Sequence, residues 1–196
     1  NAICSDGVTI DLTAPRKGDV FVGDGLDARA YQSNTDVLAI RWGGFTDGEE
    51  SELGVHTSGI KSYTVTLGSA PHSSDVWGPV DVGSNTHWIV SNLSLVDGQS
   101  YYPTVIATDY VGLTAVSASD PIRIDSSPPI AGHIVASVPP TTPEDDDVIV
   151  MANWTGFSDL ESGIREYRVA LGSRPDAADL SPFTSTGSVA HVSIEA

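Results

Sequence analysis

Carboxylates are the most reactive feature of this sequence, and the chemistry they offer is cation binding. Acidic side chains crowd the stretches 47–52 and 144–147. Oxygen-only sets of this kind are what calcium takes as ligands. Asp47 and Glu49 are the candidates in the first stretch and Asp145 in the second. Asp11 and Asp125 stand shortly before prolines, in Asp-Leu-Thr-Ala-Pro and Asp-Ser-Ser-Pro-Pro, where a shared cation could clip neighbouring segments. Neither acidic stretch has the glycine-turn spacing of an EF-hand loop. The competing reading is a solvated acidic face that keeps a long polymer soluble. No cofactor other than calcium is expected.

Catalytic chemistry finds little support. The 5 histidines, His56, His72, His87, His133 and His191, lack metal-ligand spacing. No serine sits in a nucleophile-elbow pattern, so no catalytic residue is assigned and the chain is not expected to be an enzyme. Two Asn-X-Ser/Thr strings offer glycan acceptors, Asn92 and Asn153. Asn153 precedes Trp154, so a strand that turns Trp154 inward turns Asn153 outward.

Composition narrows the partners. The 196 residues carry 9 Lys plus Arg against 26 Asp plus Glu, a net charge of -17. Nucleic acid and anionic membrane both demand basic clusters, which this chain lacks. No apolar run approaches the ~20 residues of a spanning helix, so membrane insertion is not expected. A single cysteine, Cys4, excludes a disulfide framework within the chain. Hydrophobic residues make up 40%, enough for packed cores.

The chain repeats itself. Ser5-Asp6-Gly7-Val8-Thr9-Ile10-Asp11 lies over Ser119-Asp120-Pro121-Ile122-Arg123-Ile124-Asp125, and the match runs on to Gly18 over Gly132. Trp42-Gly43-Gly44-Phe45-Thr46-Asp47 lies over Trp154-Thr155-Gly156-Phe157-Ser158-Asp159. Ser58-Gly59-Ile60, Tyr63, Leu67-Gly68-Ser69, Asp75 and His87 lie over Ser162-Gly163-Ile164, Tyr167, Leu171-Gly172-Ser173, Asp179 and His191. The largest change of spacing falls between Asp47 and Ser58, where a loop would absorb it. Residues 1–14 therefore read as the last strand and linker of a preceding repeat, 15–127 as a complete repeat, and 128–196 as a partial repeat lacking its last two strands. The whole reads as a window on a tandem array, and neighbouring repeats and further copies of the chain are the expected partners.

Period-two alternation marks strands at 37–42, 60–67, 88–90, 101–108, 113–116 and 121–124, with Tyr63, Val65 and Leu67 on one face. No segment holds helical periodicity. Short strands separated by Gly and Asp turns predict an all-β fold, tandem antiparallel sandwiches of about 110 residues each. Trp42 and Trp154 are the expected core centres, with Tyr63, Tyr101 and Tyr167 beside them. Pro103, inside an expected strand, predicts an edge or a bulge. The last repeat, short of two strands, is expected to leave its third strand bare and Trp154 partly uncovered.

Leu95-Val96-Asp97-Gly98-Gln99-Ser100-Tyr101, followed by Val105 and Ala107, resembles the tyrosine-corner region of fibronectin type III modules, which share the immunoglobulin-like sandwich. Trp42, ending the second strand, and Tyr63, in the third, also resemble that family. Phe45-Thr46-Asp47 with Ser58-Gly59-Ile60, and its second copy, also resembles the repeats of very large extracellular array proteins. The resemblance implies an extracellular or cell-surface structural protein, a rod or filament such as a surface appendage, flagellar hair or matrix component, without catalysis. An adhesion or receptor ectodomain binding a protein or glycan is the alternative expectation. A spacer module of a secreted enzyme is the third.

Overall fold

The architecture comes from a computed structural model, which describes residues 10–23, 31–48, 58–138 and 149–195. The protein is all-β, and the described residues contain strands and turns but no helix. Accordingly no helix among them is long and apolar enough to cross a membrane. Glu49, Asp145 and Cys4 lie outside the described residues. The chain divides into two compact units, the first ending at Ser126 and the second starting at Ser127.

In the first unit, β1 (Asp19–Val22) pairs antiparallel with β3 (Leu38–Gly43), which pairs with β6 (His87–Val90). A second sheet is built on β7 (Ser100–Asp109). One edge of β7 meets β4 (Ile60–Gly68), which carries β5 (Trp77–Asp81) at the sheet's end. The other edge meets first β9 (Ile122–Ile124) and then β8 (Thr114–Ala118). The short β2 (Tyr31–Gln32) runs parallel to β9.

Alternation decides what faces inward. In β3, Leu38, Ile40 and Trp42 are buried while Ala39, Arg41 and Gly43 are half-exposed. Val20 and Val22 do the same in β1. These side chains join Tyr63, Val65 and Leu67 of β4, Tyr101, Val105 and Ala107 of β7, and Ile122 and Ile124 of β9 in one hydrophobic cluster. Both sheets of the unit thus feed a single core, whose burial is the main stabilising term.

Pro103 corrects the expectation of an edge or bulge. It lies fully buried in the central strand β7. Its carbonyl accepts the Ser119 N–H at 2.9 Å, on the side where β7 passes from pairing with β9 to pairing with β8. The missing donor therefore faces the changeover between two partners, where no ladder bond is lost.

The second unit repeats part of this plan. Strands β10 (His133–Ser137), β11 (Ile149–Thr155) and β14 (His191–Glu195) form a sheet in that order, and β12 (Tyr167–Leu171) pairs with β13 (Ser181–Gly187). The register matches: Ile134 opposes Trp154 as Val20 opposes Trp42. Trp154 N–H bonds Ala190 O at 3.0 Å as Trp42 N–H bonds Thr86 O at 3.0 Å. The aromatic groups match as well. Trp42 and Phe45 meet Tyr63 edge-on at 5.6 and 5.7 Å. Trp154 and Phe157 meet Tyr167 edge-on at 5.4 and 5.7 Å. Among the described residues β12 has β13 as its strand partner, whereas β4 has two. The expected uncovering of Trp154 does not occur: Trp154 and Trp42 are each 4% exposed. The Tyr167 ring packs edge-on against it.

Each unit also carries the same carboxylate-closed loop. Ser69 donates its N–H and hydroxyl to the two oxygens of Asp75, at 3.0 and 2.7 Å. Ser173 does the same to Asp179, at 2.9 and 2.6 Å. The Ser73 hydroxyl, and then Ser69, hold the Asp75 carboxyl well below the usual aspartate range. A depressed carboxyl contributes stability above its unfolded pKa of about 3.9, and that contribution fades as pH falls toward the folded value. Asp75→Ala is therefore expected to lower the melting temperature of the first unit near neutral pH, by an amount that shrinks below about pH 4. Melting curves of parent and variant across acidic pH check this; a gap that stays constant down to about pH 2 would remove the ionised carboxylate as its cause.

Candidate metal centre

Three carboxylates from distant parts of the first unit meet at one place. Asp11 lies in the extended segment before β1. Asp47 lies on the turn after β3, one residue past the isolated bridge between Arg16 and Thr46. Asp109 is the last residue of β7 and opens the turn into β8. Each offers an oxygen, and the three oxygens lie within 4.8 Å of one another. Asp11 and Asp47 are 8% and 9% exposed and Asp109 is 0% exposed.

Local folding holds each group in place. Asp109 Oδ1 accepts the N–H groups of Val111 and Leu113 at 2.9 and 2.8 Å, which closes the turn containing Gly112. Aspartate is favoured at such turns because its carboxylate can take backbone donors that the strands leave unpaired. Asp47 Oδ2 accepts the Gly59 N–H at 2.6 Å and the Ser58 hydroxyl at 3.3 Å. Asp11 Oδ2 accepts the Ser58 N–H at 2.8 Å, while its Oδ1 accepts the N–H and hydroxyl of Thr13 at 3.0 and 2.8 Å. Gly59 O in turn accepts the Tyr110 N–H at 3.3 Å. Ser58-Gly59 thus ties all three segments together, which gives the repeated Ser-Gly-Ile string a physical role. In the second unit, Asp159 Oδ1 takes the Gly163 N–H at 2.9 Å, as Asp47 takes that of Gly59.

The arrangement is incomplete as a hydrogen-bonded cluster. Asp47 Oδ1 and Asp109 Oδ2 are buried without a hydrogen-bond partner among the described residues. A buried, unsatisfied acceptor costs about 1–3 kcal/mol, more when charged. Hydrogen bonds from the Thr13 N–H first, and then from Ser58, hold the Asp11 carboxyl well below the ordinary range. Ionised neighbours at these separations repel by at least about 3 kcal/mol per pair at an effective dielectric near 20. None of the three carboxylates takes part in a salt bridge among the described residues.

The other candidate residues are placed as follows. Of the four expected metal ligands, Asp47 joins the cluster, together with the proline-proximal Asp11. Asp125 follows β9, half-buried, with its N–H on Gln32 O at 2.9 Å. Glu49 and Asp145 fall outside the described residues. Asp109 was not singled out in the sequence; its signal is an aspartate closing an apolar strand just before a glycine turn. Asn92 is exposed with a left-handed backbone (φ 59°), and Asn153 is exposed on β11 beside buried Trp154. His87 and His191 are both exposed. Tyr101 is buried and its hydroxyl accepts the Val96 N–H at 2.9 Å. Tyr63 is buried and Tyr167 half-buried.

Comparison with protein-family models and with curated proteins returns no match.

Proposed function

We propose that this chain is a stretch of a structural, extracellular array of fibronectin type III-like sandwiches, one of whose roles is to build a rod or filament at a cell surface or in a matrix. The observation that carries this reading is the use made of the repeated residues. Trp42, Phe45 and Tyr63 pack the core of the first unit, and their counterparts Trp154, Phe157 and Tyr167 keep the same edge-on ring contacts in the second. Asp75 and Asp179 close loops. These residues, retained in both copies, serve architecture, as expected of a protein whose output is its own shape. The hydrogen bond from Val96 N–H to the Tyr101 hydroxyl supports the fibronectin type III assignment, since that family has its tyrosine corner there. The net charge of -17 suits a polymer that must stay soluble and avoid anionic surfaces.

Immunogold labelling of intact, unpermeabilised source cells with an antibody raised against this chain tests the proposal. Regularly spaced label along external fibres or matrix is expected. Label confined to the cell interior would overturn it.

A further inference from the structure

We infer that Asp11, Asp47 and Asp109 form a calcium site that fastens the segment before β1 to the turn after β3 and to the β7–β8 turn. The inference does not depend on the array reading, because it rests on the geometry of one unit. The donors are oxygens only, with no imidazole or thiolate, which suits a hard cation rather than zinc or copper. Oxygens within 4.8 Å of one another fit inside the coordination sphere of one calcium, about 4.6–5.2 Å across at ligand distances of 2.3–2.6 Å.

Acidic residues often gather without binding anything, and burial is what separates this group from such a cluster. Asp109 is wholly enclosed, and Asp47 more than nine-tenths enclosed. Each spends one oxygen on local donors, leaving Asp47 Oδ1 and Asp109 Oδ2 with none. The fold thus provides donors for part of this negative charge and withholds them from the rest. A divalent cation supplies what is missing: it satisfies the orphan oxygens and cancels the mutual repulsion. Because the three ligands meet only in the folded unit, the ion binds the native state and raises its stability by mass action.

Calcium titrations of the full chain, stripped with a chelator, test the site by calorimetry and by thermal melting. The parent is expected to bind calcium and to melt higher with it at concentrations up to about 10 mM, above the ~0.1–1 mM dissociation constants of extracellular calcium modules. Asp109→Asn keeps an oxygen for the Val111 and Leu113 donors and removes one charge. It is expected to lose one calcium equivalent, or to weaken it at least about tenfold, and to melt no lower than the parent in chelator, since repulsion is relieved. Asp47→Asn should behave alike and serves if the first variant does not fold. A purely structural role would lower the melting temperature equally with and without calcium, and that result overturns the site. So would an unchanged calcium titration in both variants, or a parent that takes up no calcium. Magnesium that binds as tightly as calcium, and is lost in the same variants, would overturn the assignment to calcium.

Discussion

Trp42→Ala is expected to destabilise the first unit by about 3–5 kcal/mol, the range for deleting a large buried aromatic. Trp42 is 4% exposed and faces inward from β3 between Val20 of β1 and Tyr63 of β4. Its removal takes away the edge-on contact at 5.6 Å and leaves a cavity that rigid strands on both sides cannot close. No compensating hydrogen bond is lost, because Nε1 has no partner among the described residues. The effect therefore reads out packing alone. Urea unfolding of parent and variant measures it, and the two units need not unfold together, so the transition that moves identifies the unit. A loss below about 1 kcal/mol would show that Trp42 does not anchor this core.

Gly18→Ala is expected to cost about 3 kcal/mol, the upper end of the range for overpacking, through collision with backbone rather than loss of contact. A Cβ at Gly18 would stand 2.1 Å from Gly43 O and 2.5 Å from Phe45 N. Those atoms belong to the chain just after Trp42, and they cannot move without disturbing β1–β3 pairing. The Gly18 carbonyl is also held, by the Ser117 hydroxyl at 2.7 Å. Gly43→Ala is the control: a Cβ there meets nothing within 4 Å. It is expected to shift stability by no more than about 0.5 kcal/mol, as for an uncrowded surface change. Equal effects of the two substitutions in the same unfolding experiment would rule out the close approach as the cause. Gly132 stands in the second unit as Gly18 does in the first, with a Cβ position 2.1 Å from Thr155 O. The glycine shared by both copies is thus a place where two backbone segments cross too closely for any side chain.

Much of the strand layout was legible because burial on one face writes a period of two into the sequence. Val37 to Trp42, Ile60 to Leu67 and Tyr101 to Thr108 carry that period, and they coincide with β3, β4 and β7. Strand β5 was not legible. No period-two run marks Trp77-Gly78-Pro79-Val80; it forms a strand at the end of its sheet, with a register shift across from Gly78-Pro79, a position where proline is tolerated. Pro103 misled for the converse reason: the change of partner along β7 creates a gap inside a central strand, which local pattern does not announce.

The candidate site divides the same way. Asp47 was visible as an acidic residue in a repeated string, and Asp11 as an acidic residue beside a proline. Asp109 was not, since an aspartate before Tyr-Val-Gly is an ordinary turn residue until β7 carries it to the others. The amino-acid order alone established the duplication, the all-β character and the inward faces of the main strands, because each follows from near neighbours along the chain. Only the folded arrangement brought one carboxylate oxygen each of Asp11, Asp47 and Asp109 within 4.8 Å of one another and left two of their oxygens unmatched. Convergence of residues so far apart depends on strand order and register, which are properties of the assembled sheets rather than of any local stretch.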